Sequence, residues 1–215
     1  MLNKIKFNRL WQILGPVIIY LCVYGFGAAI IEIISKGKIA GTSALLLAAI
    51  ITFFPEYYLY KNSPKWNTSN YSSILDALKD VLYILLIVIV GFVANKSITH
   101  FINIINSSSF ENANEVLETG SLLIRVLCLG VVIPVLEELI YRGLIAGQLF
   151  VMKVNPVVSI FISSFLFAFL HLNLVQFIYA FVTGIVLGFS YFKTKRLLVC
   201  ILGHSILNLI VLFFV

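Results

Sequence analysis

Charged and polar side chains interrupt three apolar segments in the C-terminal half of this chain. Six of them stand out: Glu137, Glu138, Arg142, His171, His204 and Asn208. A charged group at membrane depth costs about 2.5 to 3.5 kcal/mol and marks a functional site by default. Carboxylates and imidazoles move protons in general acid–base catalysis, and a carboxamide can donate a hydrogen bond to a developing oxyanion. Together, these groups could hydrolyse an amide bond.

The spacing of these residues places them in pairs on helix faces. Glu138 and Arg142 are four positions apart, so they share a face and can form an ion pair, and His204 and Asn208 have the same spacing. Glu137 is rotated by about 100° from Glu138 and therefore points elsewhere. Each pair alone is explained by a structural ion pair or an interhelical hydrogen bond. Their concentration on three helices is better explained by a site.

The same positions carry a resemblance to a known family. The run EELIYR fits the pattern EExxxR, Phe167 to His171 fits FxxxH, and His204 to Asn208 fits HxxxN. In this order they resemble the type II CAAX prenyl protease family of intramembrane peptidases, also called the CPBP or ABI family. That family includes bacterial bacteriocin-processing and self-immunity proteins. The resemblance assigns residues 120–215 to a protease core. Residues 1–119 form N-terminal transmembrane helices without a specific match, and a single domain overall is also open.

The resemblance implies peptide hydrolysis and a role for each matching residue. Glu137 would act as general base, and His171 would help to hold the attacking water. His204 and Asn208 would donate hydrogen bonds to the oxyanion. The ion pair of the first motif would brace the helix that carries the general base. The implied substrate is a membrane-associated peptide or protein.

A metal-dependent mechanism is the alternative. Glu137, His171 and His204 could supply three ligands to zinc, with water as the fourth. The chain has no HExxH pair, its two motif histidines lie on different helices, and asparagine is a poor zinc ligand. These points favour a metal-free glutamate mechanism with no firm cofactor.

The composition determines what kind of fold must position these residues. Of the 215 residues, 61% are hydrophobic and 11% are charged, and the mean hydropathy is +1.06. A soluble domain of this size could not bury so much apolar surface, and disorder requires the opposite composition. We therefore predict an all-α, polytopic membrane helical bundle. Its three cysteines all lie in apolar stretches, which argues against a disulfide framework.

Seven apolar runs predict about seven transmembrane helices. They are Trp11–Ile34, Ser43–Tyr60 interrupted by Pro55, Val81–Asn95 trailing into Ser97–Ile105, Ser121–Met152, Pro156–His171, Leu174–Phe192 and Leu197–Val215. The first run is long enough to span a membrane, so it is interpreted as a retained helix and not as a signal peptide. Bringing the site residues to one depth requires the fourth run to continue as one helix through Gly143 and Gly147. Glu32 and Glu56, near run ends or a proline, are placed outside the site.

The distribution of basic residues predicts an orientation. Ten of the 15 Lys and Arg residues fall in segments on the side of the N-terminus and three on the opposite side. Cytoplasmic loops carry an excess of Lys and Arg, so the N-terminus is predicted to lie inside. The acidic segment Glu111–Glu118 then faces outside. We expect an integral protein of a bacterial cell membrane, surrounded by the lipid bilayer, with no nucleic-acid partner and with its oligomeric state open.

Two rival functions use the same residues. Intramembrane Glu, His and Arg also suit a proton-coupled transporter component, although the polar pattern shows no inverted repeat of the kind such folds often contain. A non-enzymatic bacteriocin self-immunity or scaffold protein is the third candidate.

Overall fold

The structure, a computed structural model, describes residues 9–66, 73–105, 119–171 and 174–214. Within these ranges the chain is helical, with short turns and no strand. The predicted acidic segment Glu111–Glu118 lies outside the described residues, as do Val215 and residues 67–72 between the second and third helices. The predicted polytopic helical bundle is confirmed.

Seven helices follow one another along the described part of the chain. Helix α1 consists of the segments Arg9–Ile19 and Phe26–Ile34 joined by the π-helical segment Tyr20–Gly25. Helix α4 consists of Leu122–Arg125, the π-helical Val126–Val132, Ile133–Glu138, the π-helical Leu139–Ala146, and Gly147–Val151. The other helices are α2, Thr42–Asn62; α3, Ile74–Ile105; α5, Pro156–Phe169; α6, Leu174–Thr194; and α7, Leu197–Phe214.

Five of these helices are long and apolar enough to cross a membrane. The candidate spans are Trp11–Ile34, Thr42–Asn62, Ile74–Ile98, Leu174–Thr194 and Leu197–Phe214. Helix α5 is apolar but has only 14 residues. Helix α4 has π-helical interruptions and carries the charged motif residues. It lies at the centre, where every residue from Leu136 to Phe150 is buried.

Three predicted boundaries were wrong. Helix α3 is one continuous helix that begins at Ile74, before Val81. It can include Asp80, because this carboxylate, 7% exposed, pairs with Arg196 at 2.8 Å. Helix α2 continues through Pro55 without interruption. Helix α5 ends at Phe169, so His171 stands in the turn after it and not within the helix.

The helices alternate in direction, and side-chain contacts join their ends. The Thr42 N–H donates to Thr119 Oγ1 at 2.9 Å, which joins the start of α2 to the residues before α4. At the opposite end of the bundle, Gln148 of α4 donates to the Pro64 carbonyl just beyond α2 at 2.8 Å. Helices α2 and α4 therefore run in the same direction. This relation fixes which residues of the two helices lie at the same depth.

Glycines allow the closest helix contacts, as small residues do in membrane bundles. A Cβ atom at Gly184 of α6 would lie 3.0 Å from Cβ and 3.2 Å from Cα of Ser164 on α5. A Cβ atom at Gly188 of α6 would lie 3.1 Å from Ile160, which is also on α5. Gly184 and Gly188, four residues apart, thus form the packing face of α6 that lies against α5.

We predict that Gly184→Ala destabilises the bundle by about 1 to 3 kcal/mol, because the added methyl group meets the Ser164 backbone and cannot be relieved by a side-chain rotation. The measurement is thermal unfolding in detergent. Gly25→Ala is the control, since a Cβ there meets nothing within 4 Å and alanine is the better helix former. Equal melting temperatures for the two variants would contradict the tight α5–α6 contact.

Candidate functional site

The two adjacent glutamates lie near the middle of α4, far from either end of the bundle. Glu137 is 7% exposed and Glu138 is fully buried. As the sequence predicted, α4 continues without a break through Gly143 and Gly147. The consecutive carboxylates point in different directions and contact different partners. Glu138 belongs to a buried ion network, and Glu137 faces the space between α1, α5 and α7.

Glu138 is held in a network of buried polar groups. Its Oε1 accepts a hydrogen bond from Arg142 Nη1 at 2.9 Å and one from His204 Nδ1 at 2.8 Å. The guanidinium also donates from Nη2 to the Gly184 carbonyl at 3.0 Å. The predicted ion pair of Glu138 and Arg142 is confirmed. It joins α4 to α7 through His204 and to α6 through Gly184.

Glu137 faces the other ring nitrogen of the same histidine. The Glu137 Oε2 and His204 Nε2 atoms are 3.8 Å apart. The Tyr20 hydroxyl of α1 donates to Glu137 Oε1 at 3.4 Å. His204 thus stands between the two carboxylates, with Nδ1 on Glu138 and Nε2 toward Glu137. Because Nδ1 donates to a carboxylate, the ring is oriented with Nε2 toward the reactive side of the site.

His171 is presented by the turn that ends α5. Its Nδ1 lies 3.0 Å from the Phe167 carbonyl oxygen, to which it donates. In the neutral ring this bond leaves Nε2 as the acceptor. His171 is half-buried and within electrostatic range of Glu137. The structure therefore brings His171 within electrostatic range of the glutamate, with Nε2 not used in the bond to Phe167.

Phe167 is the packing centre of the site. Its ring contacts both histidine rings, with centroid distances of 5.3 Å to His171 and 5.8 Å to His204. The Arg142 guanidinium lies over the same ring at 4.8 Å. Tyr141 packs against it edge-on at 5.1 Å. The aromatic position of the FxxxH motif thus fixes the relative placement of the groups around it.

Asn208 hydrogen-bonds a backbone carbonyl of α4. Its Nδ2 donates to the Leu129 oxygen at 3.0 Å. In the π-helical segment Val126–Val132 each carbonyl pairs five residues onward, as Cys128 does with the Ile133 N–H. The corresponding partner of Leu129 would be Pro134, which has no N–H. The carbonyl that Pro134 leaves without a backbone partner is thus that of Leu129, and Asn208 satisfies it with one of its two amide hydrogens.

The described residues contain no group of three His, Cys, Asp or Glu side chains close enough to hold a metal ion. The alternative zinc ligands Glu137, His171 and His204 surround one region, and the two histidines direct Nδ1 away from it, to the Phe167 carbonyl and to Glu138. The short contact between a ring nitrogen and a carboxylate involves only Glu137 and His204. This geometry does not form a three-ligand metal set.

Two residues outside the predicted set contribute to this region. Tyr20 reaches Glu137 from α1, and Glu56 is fully buried on α2. Glu56 was placed outside the site on account of the nearby proline, and the structure shows that its side chain is fully buried. A sequence signal existed for it: Ala44, Ala48, Thr52 and Glu56 recur at four-residue spacing and form one inward face. No such signal distinguished Tyr20 from the other tyrosines of α1.

Comparison with known proteins gives one family match and one similar protein. Residues 119–210 match the model of the family described as type II CAAX prenyl endopeptidase Rce1-like. Over 99 residues the chain is 31% identical to "Putative membrane peptidase YdiL" of Bacillus subtilis (strain 168), covering 46% of this chain and 40% of that protein. The chain thus matches less than half the length of this relative. No solved structure matches. The resemblance inferred from the three motifs is confirmed.

We predict that Arg142→Met destabilises the protein by about 3 to 5 kcal/mol, because it leaves a buried carboxylate without its cation. The measurement is thermal unfolding in detergent. Arg142→Met combined with Glu138→Leu recovers part of the loss, since both charges are then removed. Arg125→Met, a half-buried arginine of the same helix outside the network, is the control and causes a smaller loss. An unchanged melting temperature for Arg142→Met would show that the network does not stabilise the fold.

Proposed function

We propose that this chain, which carries a type II CAAX prenyl endopeptidase domain of the Rce1-like family over residues 119–210, is an intramembrane endopeptidase. It hydrolyses a peptide bond of a membrane-associated peptide or protein. The observation that carries the proposal is the position of His204 between two buried carboxylates, with Nδ1 at 2.8 Å from Glu138 and Nε2 at 3.8 Å from Glu137. This arrangement combines a proton acceptor with an oriented imidazole.

In the proposed first step, Glu137 acts as general base. Its carboxylate takes a proton from a water molecule while the water oxygen bonds to the scissile carbonyl carbon. His171 accepts the second hydrogen of that water at Nε2, because its Nδ1 is already directed to the Phe167 carbonyl. Positioning the water between two acceptors aligns its lone pair with the carbon. A positioned general base contributes typically about 10² to 10⁴ in rate.

The negative charge then develops on the former carbonyl oxygen. In the proposed step His204 carries a hydrogen on each ring nitrogen: Nδ1 donates to Glu138, and Nε2 donates to this oxygen. Asn208 donates with the amide hydrogen that is not directed to Leu129. Fixed donors of this kind stabilise an oxyanion strongly in a site shielded from bulk water. When the tetrahedral intermediate collapses, the proton held by Glu137 passes to the leaving amine as the carbon–nitrogen bond breaks.

Glu138 and Arg142 position these groups without touching the substrate. Glu138 orients the ring of His204, and Arg142 neutralises Glu138 while holding α6 through the Gly184 carbonyl. Such outer partners fix the orientation of the residues that they contact. The proposal routes no step through a metal ion, since the described residues form no three-ligand set.

The proposed setting is a bacterial cell membrane with the N-terminus inside. Lysines and arginines near the ends of α2 and α6 and the start of α7 support this orientation. These ends lie together, because Trp66, just beyond α2, stacks on Phe192 of α6 and lies under the Lys195 ammonium. Water must reach Glu137 through the protein, because the glutamate lies near the middle of α4. Cleavage of peptide probes with and without a prenyl group distinguishes between prenylated and unprenylated substrates.

We predict that Glu137→Gln lowers peptide cleavage by at least about 10²-fold, because the amide cannot accept the proton of the water. The assay uses purified protein in lipid vesicles and a farnesylated CAAX peptide, compared with the same peptide without the farnesyl group. Release of the C-terminal fragment is followed by mass spectrometry.

Two controls accompany this variant. Glu32→Gln changes an exposed acid near the end of α1 and leaves cleavage unchanged. The melting temperature of Glu137→Gln is measured in parallel, so that loss of fold is recognised. A folded Glu137→Gln protein that still cleaves would refute the proposed base. Wild-type protein that cleaves neither probe, yet keeps a cellular phenotype that Glu137→Gln also keeps, would favour the scaffold role.

We further predict that the metal-free mechanism survives chelation. Wild-type protein incubated with 1,10-phenanthroline retains its cleavage rate, and metal analysis of the purified protein finds less than one zinc per chain. The contrary result, activity lost with the chelator and restored by added zinc, would replace the proposed water activation with a zinc site formed by Glu137, His171 and His204.

A further inference from the structure

Glu56 is a fully buried acid for which the proposed mechanism has no role. Neither of its carboxylate oxygens has a hydrogen-bond partner among the described residues. No basic side chain in the described part of the chain forms an ion pair with it. An unsatisfied buried polar group costs about 1 to 3 kcal/mol. Such an acid inside a membrane protein calls for a ligand or a function.

The helix register places Glu56 at the depth of the two site glutamates. Helices α2 and α4 run in the same direction, and a Cβ atom at Gly143 would lie 2.9 Å from the Tyr60 ring. One helical turn back from this contact, Glu56 of α2 is level with Leu139 of α4. The Gly143–Tyr60 contact brings α2 close to α4, and Glu56 lies on the buried face of α2 together with Ala44, Ala48 and Thr52.

Tyr141 supplies a second unsatisfied group in the same place. Its hydroxyl is buried and has no hydrogen-bond partner in the described structure. Tyr141 interacts electrostatically with both Glu56 and Glu137. Two buried polar groups without hydrogen-bond partners, one on α2 and one on α4, therefore lie within electrostatic range of each other, and one of them is also within range of the proposed general base.

Tyr20 of α1 completes a connection to that base. Its ring contacts Tyr141 edge-on at a centroid distance of 6.3 Å, and its hydroxyl donates to Glu137 Oε1 at 3.4 Å. Tyr20 is buried, although most of α1 is exposed. It is also the first residue of the π-helical segment in α1. Single π-helical turns occur often at functional sites.

We propose that Glu56 and Tyr141 bind internal water on the side of α4 that faces α1 and α2, and that Tyr20 links this water to Glu137. The inference rests on the proposed function, since hydrolysis consumes one water for every bond cleaved. Buried waters typically make about three hydrogen bonds to otherwise unsatisfied polar groups. Two carboxylate oxygens and a phenol hydroxyl supply that number. Helices α1 and α2, which lie before the matched residues 119–210, would then provide the water side of the site.

Water fits this place better than a cation does. A metal ion would require several anionic or imidazole ligands, and the described residues hold no group of three. Among the described residues, no lysine, arginine or histidine side chain pairs with Glu56 either. Tyrosine hydroxyls and a carboxyl group both donate and accept, which suits a chain of water molecules.

The test compares Glu56→Leu, Glu56→Gln and the control Thr52→Val. Thr52 lies one turn away on the same buried face, and its hydroxyl bonds only locally, to the Ala48 carbonyl at 2.7 Å. Radiolytic hydroxyl-radical footprinting measures the labelling of Tyr141, which depends on adjacent water. Cleavage of the CAAX peptide probes gives kcat and KM, and thermal unfolding reports stability.

We expect Glu56→Leu to abolish Tyr141 labelling and to lower kcat by about tenfold with KM unchanged, because the substrate contacts stay intact while the water supply is reduced. Glu56→Gln retains polar atoms and keeps most of both signals. Thr52→Val behaves as wild type. Glu56→Leu does not lower the melting temperature, since a leucine satisfies the apolar surroundings. Should the leucine variant fail to fold, Tyr141→Phe, which removes only the hydroxyl, is expected to show the same fall in kcat. Its control is Tyr83→Phe, on α3 against Phe189 of α6.

A Glu56→Leu protein with wild-type labelling and kcat would overturn the inference and leave the proposed peptidase function standing. The failure of that function gives a different pattern. In that case the wild-type protein cleaves neither probe, or Glu137→Gln retains cleavage, while the Tyr141 labelling still decides whether Glu56 binds water.

Discussion

The fold depends on one buried guanidinium. Arg142 has no exposed surface, and it donates to the Glu138 carboxylate and to the Gly184 carbonyl while lying over the Phe167 ring. These contacts come from α4, α6 and α5, and Glu138 extends them to α7 through His204. A buried cation is stable only when it is paired and hydrogen-bonded, as the two terminal nitrogens of Arg142 are here. The bundle must therefore assemble with these four helices in one register, which is also the register that brings His204 to Glu137.

Local irregularity in α4 serves the same arrangement. Pro134 cannot donate a backbone hydrogen bond, and the π-helical segment before it leaves the Leu129 carbonyl unpaired. Asn208 satisfies this carbonyl from α7. In lipid, backbone polar groups need partners within the protein, because no water is available to hydrate them. The proline therefore requires α7 to pack at this level, one turn beyond His204. A helix defect and an interhelical hydrogen bond together set the depth of the proposed site.

The N-terminal helices are part of this site as well as part of the membrane anchor. Tyr20 contacts the proposed base, and Glu56 lies at its depth behind α4. Sequence patterns placed the chemistry in the C-terminal half because the motif residues cluster there. The four-residue spacing on α2 gave a signal for the inward face of Glu56, but the face of α4 that a residue on α1 or α2 meets could not be read from the sequence. That choice is made by packing between segments that are far apart along the chain.

The sequence by itself determined the membrane class, the helical fold, the six motif residues and the pairing of Glu138 with Arg142, since composition and four-residue spacing act locally along one helix. It also determined that the fourth helix continues through Gly143 and Gly147. Only the tertiary structure decided that His204 contacts Glu138 as well as Glu137, that Asn208 binds the Leu129 carbonyl, and that His171 stands beyond the end of its helix. These facts depend on the rotation and depth of one helix against another. Distant side chains fix both, through hydrogen bonds that exist only once the bundle is packed.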